Sequence, residues 1–409
     1  MIIDSLKSVV SFVVTMGAAV LLASCGDDND QGSVVNAQVV EYVSPIDYDI
    51  VLAGNFGEPR PWHFHGGLDI KTGNVEGKKV FSIAEGYVSR ITVNKYGFGN
   101  AIYVNHPDGL TSVYCHLKRF AEPYEQLFQR TGWRDTLDFR YPEGQLPVKA
   151  GDLIAISGNT GHSTGPHLHL ELHDTRTWVM RDPMMKLAPY IADSVAPQAH
   201  SFMAVPQQGE GLFNGGSTKQ TFGFGQPDIK KQHTEWTLSR QFTAWGRVGF
   251  ALWADDYSEA TYNHYGIRHT ALLVDGREVF SVDVDSIPVS CQPEVNSWGD
   301  YTHWRRTRIW YMKSYREPGM RLPILHTDFN RGIVNFNEER PYNLTYILRD
   351  YQGNVARYHF VVQGQRDSRI QPSERSMRQV PCRMLLDDYL LYGQVLWPLH
   401  CSKAAATSF

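Results

Sequence analysis

Short runs of β-branched and aromatic residues, separated by glycine-containing turns, constrain the fold of this chain more than any other feature. Between about residues 45 and 190 such runs recur at short intervals, for example at 87–93, 101–104 and 167–173. Runs of this length and composition predict strands, and the glycines between them predict tight turns. Strands this closely spaced favour an antiparallel sheet or barrel. The sequence therefore predicts a mainly β fold.

The second half of the chain repeats the pattern beyond a boundary at Pro189 to Pro197. Strand-like runs follow at 248–253, 271–274 and 342–348, and Asp275-Gly276 lies between two runs as a hairpin turn. We predict a β-sandwich-like accessory region over 195–365. Residues 366–409 have mixed composition and are assigned only as a C-terminal tail.

The first residues differ from the rest of the chain. Residues 1–24 combine Lys7, an apolar run and small residues that end before a cysteine, which predicts a secretory signal peptide. Leu22-Ala23-Ser24-Cys25 resembles a bacterial lipobox, so we expect Cys25 to carry the lipid that anchors the protein to a membrane. A polar linker follows over 25–44, and its start, Gly26-Asp27-Asp28-Asn29-Asp30, resembles the acidic export tag of surface lipoproteins of the Bacteroides group. The expected location is the cell envelope, at the outer membrane, facing either the periplasm or the surface.

Length, charge and cysteine spacing limit the remaining possibilities. A chain of 409 residues suggests two or three domains, and a net charge of −4 gives no support for nucleic-acid binding. The five cysteines show no close pairing that would indicate a zinc knuckle or a disulfide framework. A single bridge among Cys291, Cys382 and Cys401 stays possible in an oxidising compartment.

Three histidine-containing clusters contain the candidate chemistry: His65-Gly66-Gly67-Leu68-Asp69, Tyr114-Cys115-His116-Leu117, and the run 163–171 with His167 and His169. His65 and Asp69 supply the nitrogen and oxygen ligands that zinc accepts, and the glycine pair lets both side chains reach one point. His167 and His169 share one face of a strand at roughly 6.5–7 Å, so one of them can bind the metal while the other faces the substrate.

Three protein ligands leave one coordination position open, which is typical of a catalytic rather than a structural zinc site. No H-E-x-x-H motif supplies a glutamate base. His116 and whichever of the two strand histidines does not bind metal can instead accept a proton and stabilise the oxyanion. We interpret Cys115 as a buried small side chain, and His63, His106, His162 and His173 as surface residues or residues of the outer shell.

Residues 45–194 resemble the lysostaphin and LytM-type zinc endopeptidases, the metallopeptidase family numbered twenty-three. His65-x-x-x-Asp69 and His167-x-His169 bear the resemblance, together with Gly97-Phe98-Gly99-Asn100 and Gly158-Asn159-Thr160-Gly161, in the family's order. It implies an antiparallel β-sheet domain of the duplicated-hybrid-motif type. It also implies that His65, Asp69 and His169 bind zinc, and that His116 and His167 are the catalytic histidines.

Two features depart from the family pattern. His173 stands where arginine is common, and an insertion at 118–147 is longer than in compact members. A long irregular insertion in a compact domain is often functional, and this one is a candidate wall for the substrate groove.

The resemblance implies hydrolysis of peptide cross-links in bacterial peptidoglycan, with stem peptides as the binding partner. Two alternatives stay open. The chain could be a non-catalytic regulator of other wall hydrolases, although such relatives have lost metal ligands, or a peptidase of protein substrates. If the organism is Gram-negative, the D-alanyl–diaminopimelate bridge is the expected target.

Overall fold

A computed structural model describes residues 40–126, 136–225 and 234–370. The predicted signal peptide at 1–24, Cys25 and most of the linker lie outside the described residues, as do Cys382, Cys401 and nearly all of the predicted tail. The described residues are mainly β, as the sequence predicts. Within these ranges, no helix is long and apolar enough to span a bilayer.

The first half of the described chain contains fourteen strands. The strands are β1 Leu52–Gly54, β2 Pro59–Arg60, β3 His63–Phe64, β4 Gly67–Lys71, β5 Lys79–Phe81, β6 Gly86–Val93, β7 Ala101–Asn105, β8 Leu110–Cys115, β9 Leu117–Phe120, β10 Leu137–Arg140, β11 Pro147–Val148, β12 Leu153–Ser157, β13 His167–Asp174 and β14 Met180–Arg181. Helix α1, Met184–Leu187, and a 3-10 turn at Ala188–Tyr190 close this half.

The second half contains twelve strands, a second 3-10 turn at Val289–Glu294 and helices α2 Val295–Trp298 and α3 Tyr301–Thr307. Its strands are β15 Gln198–Phe213, β16 Gln220–Gly223, β17 Glu235–Tyr257, β18 His264–Tyr265, β19 His269–Val274, β20 Arg277–Asp283, β21 Ser286–Ile287, β22 Met312–Lys313, β23 Leu325–Thr327, β24 Val334–Phe336, β25 Pro341–Arg349 and β26 Val355–Gly364.

The first half is built on an antiparallel sheet in the order β1-β4-β13-β8-β7-β6-β10. Strand β13 lies inside this sheet, between β4 and β8, and its sequence alternates between the two faces. Leu168, Leu170 and Leu172 are fully buried in a core shared with β4, β6 and β8, so the histidines between them face the opposite side. A small sheet, β5-β12-β9, covers the other side of this core.

Strand β10 of the insertion at 118–147 lies away from the histidine-bearing strands. Its strand β10 pairs with the outer edge of β6, and β8, β7 and β6 separate it from β13. At a spacing of about 4.8 Å per strand, that places β10 roughly 19 Å from β13 along the sheet. Residues 127–135 of the insertion lie outside the described residues.

The second half forms one eleven-stranded sheet around the long strand β17. Its buried cluster includes Phe224, next to β16 at one end of the strand path, and Leu325 of β23 at the other end, so the sheet curls around a common core. Phe202 and Phe360 stack within it with ring centroids 4.3 Å apart. Asp275 and Gly276, with φ of 50° and 78°, form the predicted hairpin turn between β19 and β20.

Candidate metal centre

His65, Asp69 and His169 meet on the open face of the main sheet. Asp69 in β4 and His169 in β13 are direct cross-strand partners, and His65 precedes β4. His169 Nδ1 lies 2.7 Å from Asp69 Oδ1, and His65 Nε2 lies 3.0 Å from both of these atoms. The three residues are only 2%, 8% and 6% exposed. The structure therefore brings together the three residues that the sequence predicts as ligands.

The hydrogen bonds that the His65 and His169 rings make away from the centre show which ring nitrogen holds the proton. His65 Nδ1 lies 2.6 Å from the Asn55 carbonyl oxygen, which can only accept, so Nδ1 holds the proton. His169 Nε2 lies 3.0 Å from Glu171 Oε1 and donates in the same way. Two imidazole nitrogens and one carboxylate oxygen thus converge on one point, an arrangement that a cation between them would stabilise.

The pKa of His169 reflects the same convergence of polar atoms. Burial lowers the pKa of its imidazole, but the hydrogen bonds with Asp69 and Glu171 outweigh burial and raise it to about 9. Burial likewise opposes ionisation of Asp69, but the surrounding histidines hold the pKa of its carboxyl well below the usual range. In the metal-free protein a proton therefore occupies the position between Asp69 and His169, and metal binding would release it.

The donor set fits zinc. Imidazole nitrogen and carboxylate oxygen are zinc ligands, and tetrahedral bonds of about 2.0–2.1 Å separate neighbouring ligand atoms by about 3.3 Å. The observed separations of 2.7–3.0 Å among the three donor atoms are close to that value. A small outward movement of the side chains would accommodate the ion.

His116 and His167 lie beside this centre, and their ring centroids are 4.8 Å apart. The Nδ1 atoms of the two rings lie 2.8 Å from the carbonyl oxygens of Thr160 and Gly165, respectively. Each Nδ1 therefore donates to the backbone, which leaves each Nε2 facing the site. His167 Nε2 is 3.3 Å from Asp69 Oδ1. His116, His167 and His169 also have donor atoms within 4.8 Å of one another, so they form a second geometrically possible metal group.

His116 occupies an unusual backbone conformation. Its φ of 58° is a left-handed value that non-glycine residues seldom adopt, and it turns the ring from the end of β8 towards His169. The Thr160 carbonyl fixes the ring, as described above. Burial, and then the neighbouring His169 and His167, lower the pKa of His116 to about 4, so its Nε2 is a free base at neutral pH.

Two glycine-containing loops support this turn through close backbone contact. A Cβ added to Gly99 would lie 2.4 Å from Thr160 Oγ1, and one added to Gly161 would lie 2.4 Å from the Gly97 carbonyl. The loops at 97–100 and 158–161 therefore pack directly against each other. Phe98, at the tip of the first loop, stacks over His169 with ring centroids 6.1 Å apart.

The glycine pair at 66–67 plays a different role from the predicted one. Neither glycine has a positive φ, so no special curl of the backbone is involved. A Cβ on Gly67 would lie 2.1 Å from the Leu170 carbonyl, and one on Gly66 would lie 2.4 Å from Glu171 Oε1. The pair is required because β4 approaches β13 too closely for any side chain.

Glu171 and His173 continue the site behind His169. Glu171 is 5% exposed and accepts hydrogen bonds from His169 Nε2 at 3.0 Å and from His173 Nε2 at 2.6 Å. Burial opposes ionisation of Glu171, but these two bonds outweigh it and hold the pKa of its carboxyl below the usual range. His173 in turn stacks on Trp178 with centroids 4.2 Å apart. The sequence analysis assigned Glu171 no role, although its two-residue spacing from His169 places it on the same strand face.

Arg60 is a further residue that the sequence analysis missed. Its Nη2 donates to Asp69 Oδ2 at 2.9 Å, while Asp69 Oδ1 faces the two ligand histidines. The guanidinium thereby fixes which carboxylate oxygen points to the centre. No spacing pattern in the sequence links residue 60 to this role.

The remaining histidines and Cys115 are not part of the centre. His63 and His162 are exposed, and His106 is buried between the Glu85 carbonyl and the Ser112 hydroxyl. Cys115 is fully buried as predicted, and burial raises the pKa of its thiol well above the usual value, so it stays protonated. Among the described residues, Cys115 and Cys291 form no disulfide.

The accessory region holds the loop that precedes His65. The Asn55 side chain exchanges hydrogen bonds of 2.8 and 2.9 Å with the Gly266 backbone, and the Asn55 carbonyl fixes the His65 ring. Gln292 and Asn296 accept from the backbone N–H groups of Phe64 and Trp62 at 3.1 and 3.2 Å, respectively. The second half of the chain therefore contributes to the placement of a predicted metal ligand.

Sequence comparison with known proteins indicates the type of domain that contains the metal centre. The model of Peptidase family M23 matches residues 63–128, which include His65, Asp69 and His116 but not His167 or His169. The DD-carboxypeptidase/endopeptidase Mpg of Neisseria meningitidis is 31% identical over 110 residues, which are 27% of this chain and 20% of that protein. The peptidoglycan DD-endopeptidase ShyC of Vibrio cholerae is 30% identical over 135 residues, covering 31% of this chain and 25% of that protein.

Among solved structures, the catalytic domain of lysostaphin from Staphylococcus simulans is 27% identical, with a TM-score of 0.25, over 33% of this chain and 89% of that chain. This chain spans only 20–25% of the length of the two curated relatives named above. The family match and these relatives support an M23-type metallo-endopeptidase domain, as the resemblance implies. The lipoprotein assignment stays a prediction.

Proposed function

We propose that this chain is a zinc-dependent endopeptidase that hydrolyses peptide cross-links of bacterial peptidoglycan. The observation that carries the proposal is the convergence of His65 Nε2, Asp69 Oδ1 and His169 Nδ1 on one point, with two further histidines beside it. The relatives described above support the substrate, because ShyC is by name a peptidoglycan DD-endopeptidase.

His65, Asp69 and His169 would hold the zinc ion. A bound zinc ion supplies Lewis acidity towards a water molecule and the substrate carbonyl. His116 is placed to accept a proton from the attacking water, because the Thr160 carbonyl holds its proton on Nδ1 and Nε2 is left unprotonated towards the site. His167 Nε2, 3.3 Å from Asp69 Oδ1, is placed to carry a proton and donate it to the developing oxyanion.

Aromatic side chains with exposed surface flank the centre and would line a groove for a peptide. Phe98 and Trp178 are 36% and 37% exposed and stack on His169 and His173, respectively. Trp62, 53% exposed, lies in the loop before His65 and contacts Tyr301 of the accessory region edge-on. We therefore propose that the accessory region, rather than strand β10 of the insertion, forms one wall of this groove.

The proposal also covers the peptide bond that is cleaved and the cellular location of the protein. The D-alanyl–diaminopimelate bridge is the proposed target, in keeping with the DD-endopeptidase activity named for ShyC. The proposed location is the cell envelope, with the chain attached to the membrane through a lipid on Cys25.

The test is digestion of isolated peptidoglycan by the purified protein, followed by mass spectrometry of the released fragments. Parallel samples contain a chelator, or the chelator followed by added zinc. We expect cross-linked dimers to disappear, the loss to stop with chelator and to resume with zinc, and the fragment masses to identify the bond.

Two outcomes would change the assignment. A protein with zinc bound at full occupancy that leaves all cross-links intact would favour the regulatory alternative. Cleavage of an unstructured protein but not of wall fragments would favour a peptidase of protein substrates.

A further inference from the structure

Three aspartates from distant parts of the chain meet where the accessory sheet contacts the first half. Asp193 lies between the first 3-10 turn and β15, Asp256 lies near the end of β17, and Asp350 lies between β25 and β26. One carboxylate oxygen from each lies within 4.8 Å of the others. None of these residues belongs to the metal centre described above.

This cluster has no compensating positive charge among the described residues, since none of the three aspartates forms an ion pair with a lysine, arginine or histidine there. Asp256 and Asp350 are 7% and 2% exposed, and Asp193 is half-buried. Asp256 Oδ1 is buried and lacks any hydrogen-bond partner in the described part of the chain. An unpaired buried carboxylate oxygen is costly unless a partner neutralises it, so the arrangement lacks one positively charged component.

The other two carboxylates are held in place by neighbouring amides. Asp350 Oδ1 accepts from the backbone N–H groups of Gly353 and Asn354 at 2.7 and 2.8 Å. Asp350 Oδ2 accepts from Asn354 Nδ2 at 2.6 Å, and the same Nδ2 contacts the Asp193 carbonyl at 3.3 Å. Asp193 Oδ1 accepts from Val195 N at 2.9 Å. The oxygen positions are therefore fixed before any ligand arrives.

The protonation behaviour of the cluster agrees with its geometry. Burial, and then the neighbouring Asp350 and Glu259, raise the pKa of Asp193 to about 7. Burial, and then Asp350 and Asp193, raise the pKa of Asp256 well above its usual value. Without a cation, the three carboxylates repel one another.

We propose that Asp193, Asp256 and Asp350 bind a calcium ion. All the available donors are oxygens, which suits a hard cation and not zinc. Calcium accepts irregular sets of carboxylate, carbonyl and water oxygens, whereas magnesium demands a near-octahedral set and retains its waters. A site assembled from two connecting segments and the end of a strand, with backbone carbonyls such as that of Asp193 nearby, therefore fits calcium better.

The position of the site indicates what the ion would do. Ile191, two residues before Asp193, packs in the core of the first half, and its carbonyl accepts from Gln352 Nε2 at 3.2 Å. Tyr265 of β18 is the cross-strand partner of Asp256. It packs in the same core and donates to the Leu52 carbonyl at 3.1 Å. A calcium ion would tie the segment leaving the first half to two strands of the accessory sheet, and so stabilise the contact between them.

The test is thermal unfolding of the zinc-loaded full chain, titrated with calcium chloride up to about 5 mM, which exceeds the dissociation constants of typical extracellular calcium modules. We expect the Tm to rise by a few degrees, the order of magnitude that saturating ligand gives a chain of this size. Magnesium at the same concentration should raise it less. Bound zinc, measured before and after, should not change.

Two variants make the result specific. Asp256→Asn removes the unpaired charge at constant volume, so it should abolish the calcium response, and without calcium it should be at least as stable as the wild type. Asp47→Asn, at an exposed position, should leave the response intact. An unchanged Tm of the wild type with calcium, or an equal rise in Asp256→Asn, would overturn the proposal and indicate carboxylates that share protons instead. Both outcomes are independent of activity on peptidoglycan.

Discussion

Replacement of Glu171 by Gln tests whether the carboxylate behind His169 tunes the metal centre. The substitution keeps the volume and one acceptor oxygen, but it removes the negative charge that His169 Nε2 and His173 Nε2 contact at 3.0 and 2.6 Å. The hydrogen bond to His169 changes from a charge-assisted bond of about 1.5–3 kcal/mol to a neutral one of about 0.5–1.5 kcal/mol. The substitution therefore weakens the hydrogen bond to His169 by about 1–1.5 kcal/mol.

That loss corresponds to zinc binding weakened about tenfold, within the 10- to 100-fold range typical of outer-shell substitutions. The assay is competition for zinc against a chromogenic chelator, with kcat measured separately at saturating zinc. We expect a higher Kd for zinc and a lower kcat, because the imidazole of His169 becomes a weaker ligand and is less firmly oriented.

Glu143→Gln, at an exposed position in the insertion, is the matched control and should change neither quantity. The Tm of the metal-free Glu171→Gln protein shows whether folding is affected. A folded Glu171→Gln variant whose zinc Kd is within twofold of the wild type would refute the reasoning, because it would show that the buried carboxylate only fills space.

Further predictions concern the ligands, the base, the strand contact and a buried acid. His169→Ala should lose both zinc and hydrolysis, measured by metal analysis and the peptidoglycan assay; an active zinc-free variant would contradict the proposed site. His116→Ala should keep zinc but lower kcat by about 10²–10⁴-fold, and a kcat close to wild type would exclude His116 as the base. Gly67→Ala should destabilise the fold by about 1–3 kcal/mol in chemical denaturation, because its Cβ would overlap the opposing strand, whereas Gly223→Ala, whose Cβ would meet nothing closer than 3.8 Å, should cost less. Burial raises the pKa of Asp182 to about 7, so the contribution of this group to stability is fully present below about pH 4 and is lost as the pH rises to 7. The Tm advantage of Asp182→Asn should therefore grow across that window, and a constant difference would show that Asp182 is not responsible.

Much of the first half could be predicted from the sequence because its signals are local. Strand β13 alternates leucine with polar residues, so a period of two places His167 and His169 on the face opposite the core. Asp275-Gly276 sets the turn between β19 and β20 by backbone preference alone. The candidate ligands and catalytic histidines came from separated motifs in a fixed order, and the structure places all five side chains together.

The supporting residues were harder to predict because their partners are distant in sequence. Glu171 lies on the same face as His169 by simple alternation, so the pattern contained a signal that a buried acid lies behind the ligand. Arg60 and Asn55 had no such signal, since their roles depend on contacts with Asp69 and with Gly266. The aspartate cluster joins positions 193, 256 and 350, which only the tertiary fold brings together.

The glycines show a subtler limit. The sequence indicated that Gly66 and Gly67 are needed, but it assigned them to a curl of the backbone. The structure shows close contact between strands instead. A glycine required for φ and a glycine required for space look the same in a sequence, and only the neighbouring strand distinguishes them.

The most direct test of the account is a crystal structure of the zinc-loaded protein with anomalous diffraction data collected on both sides of the zinc absorption edge. The account predicts one strong peak within bonding distance of His65 Nε2, Asp69 Oδ1 and His169 Nδ1, with His116 and His167 unbound. A peak held by His116, His167 and His169, the other group of donor atoms in this region, would contradict the assignment of ligands and catalytic histidines.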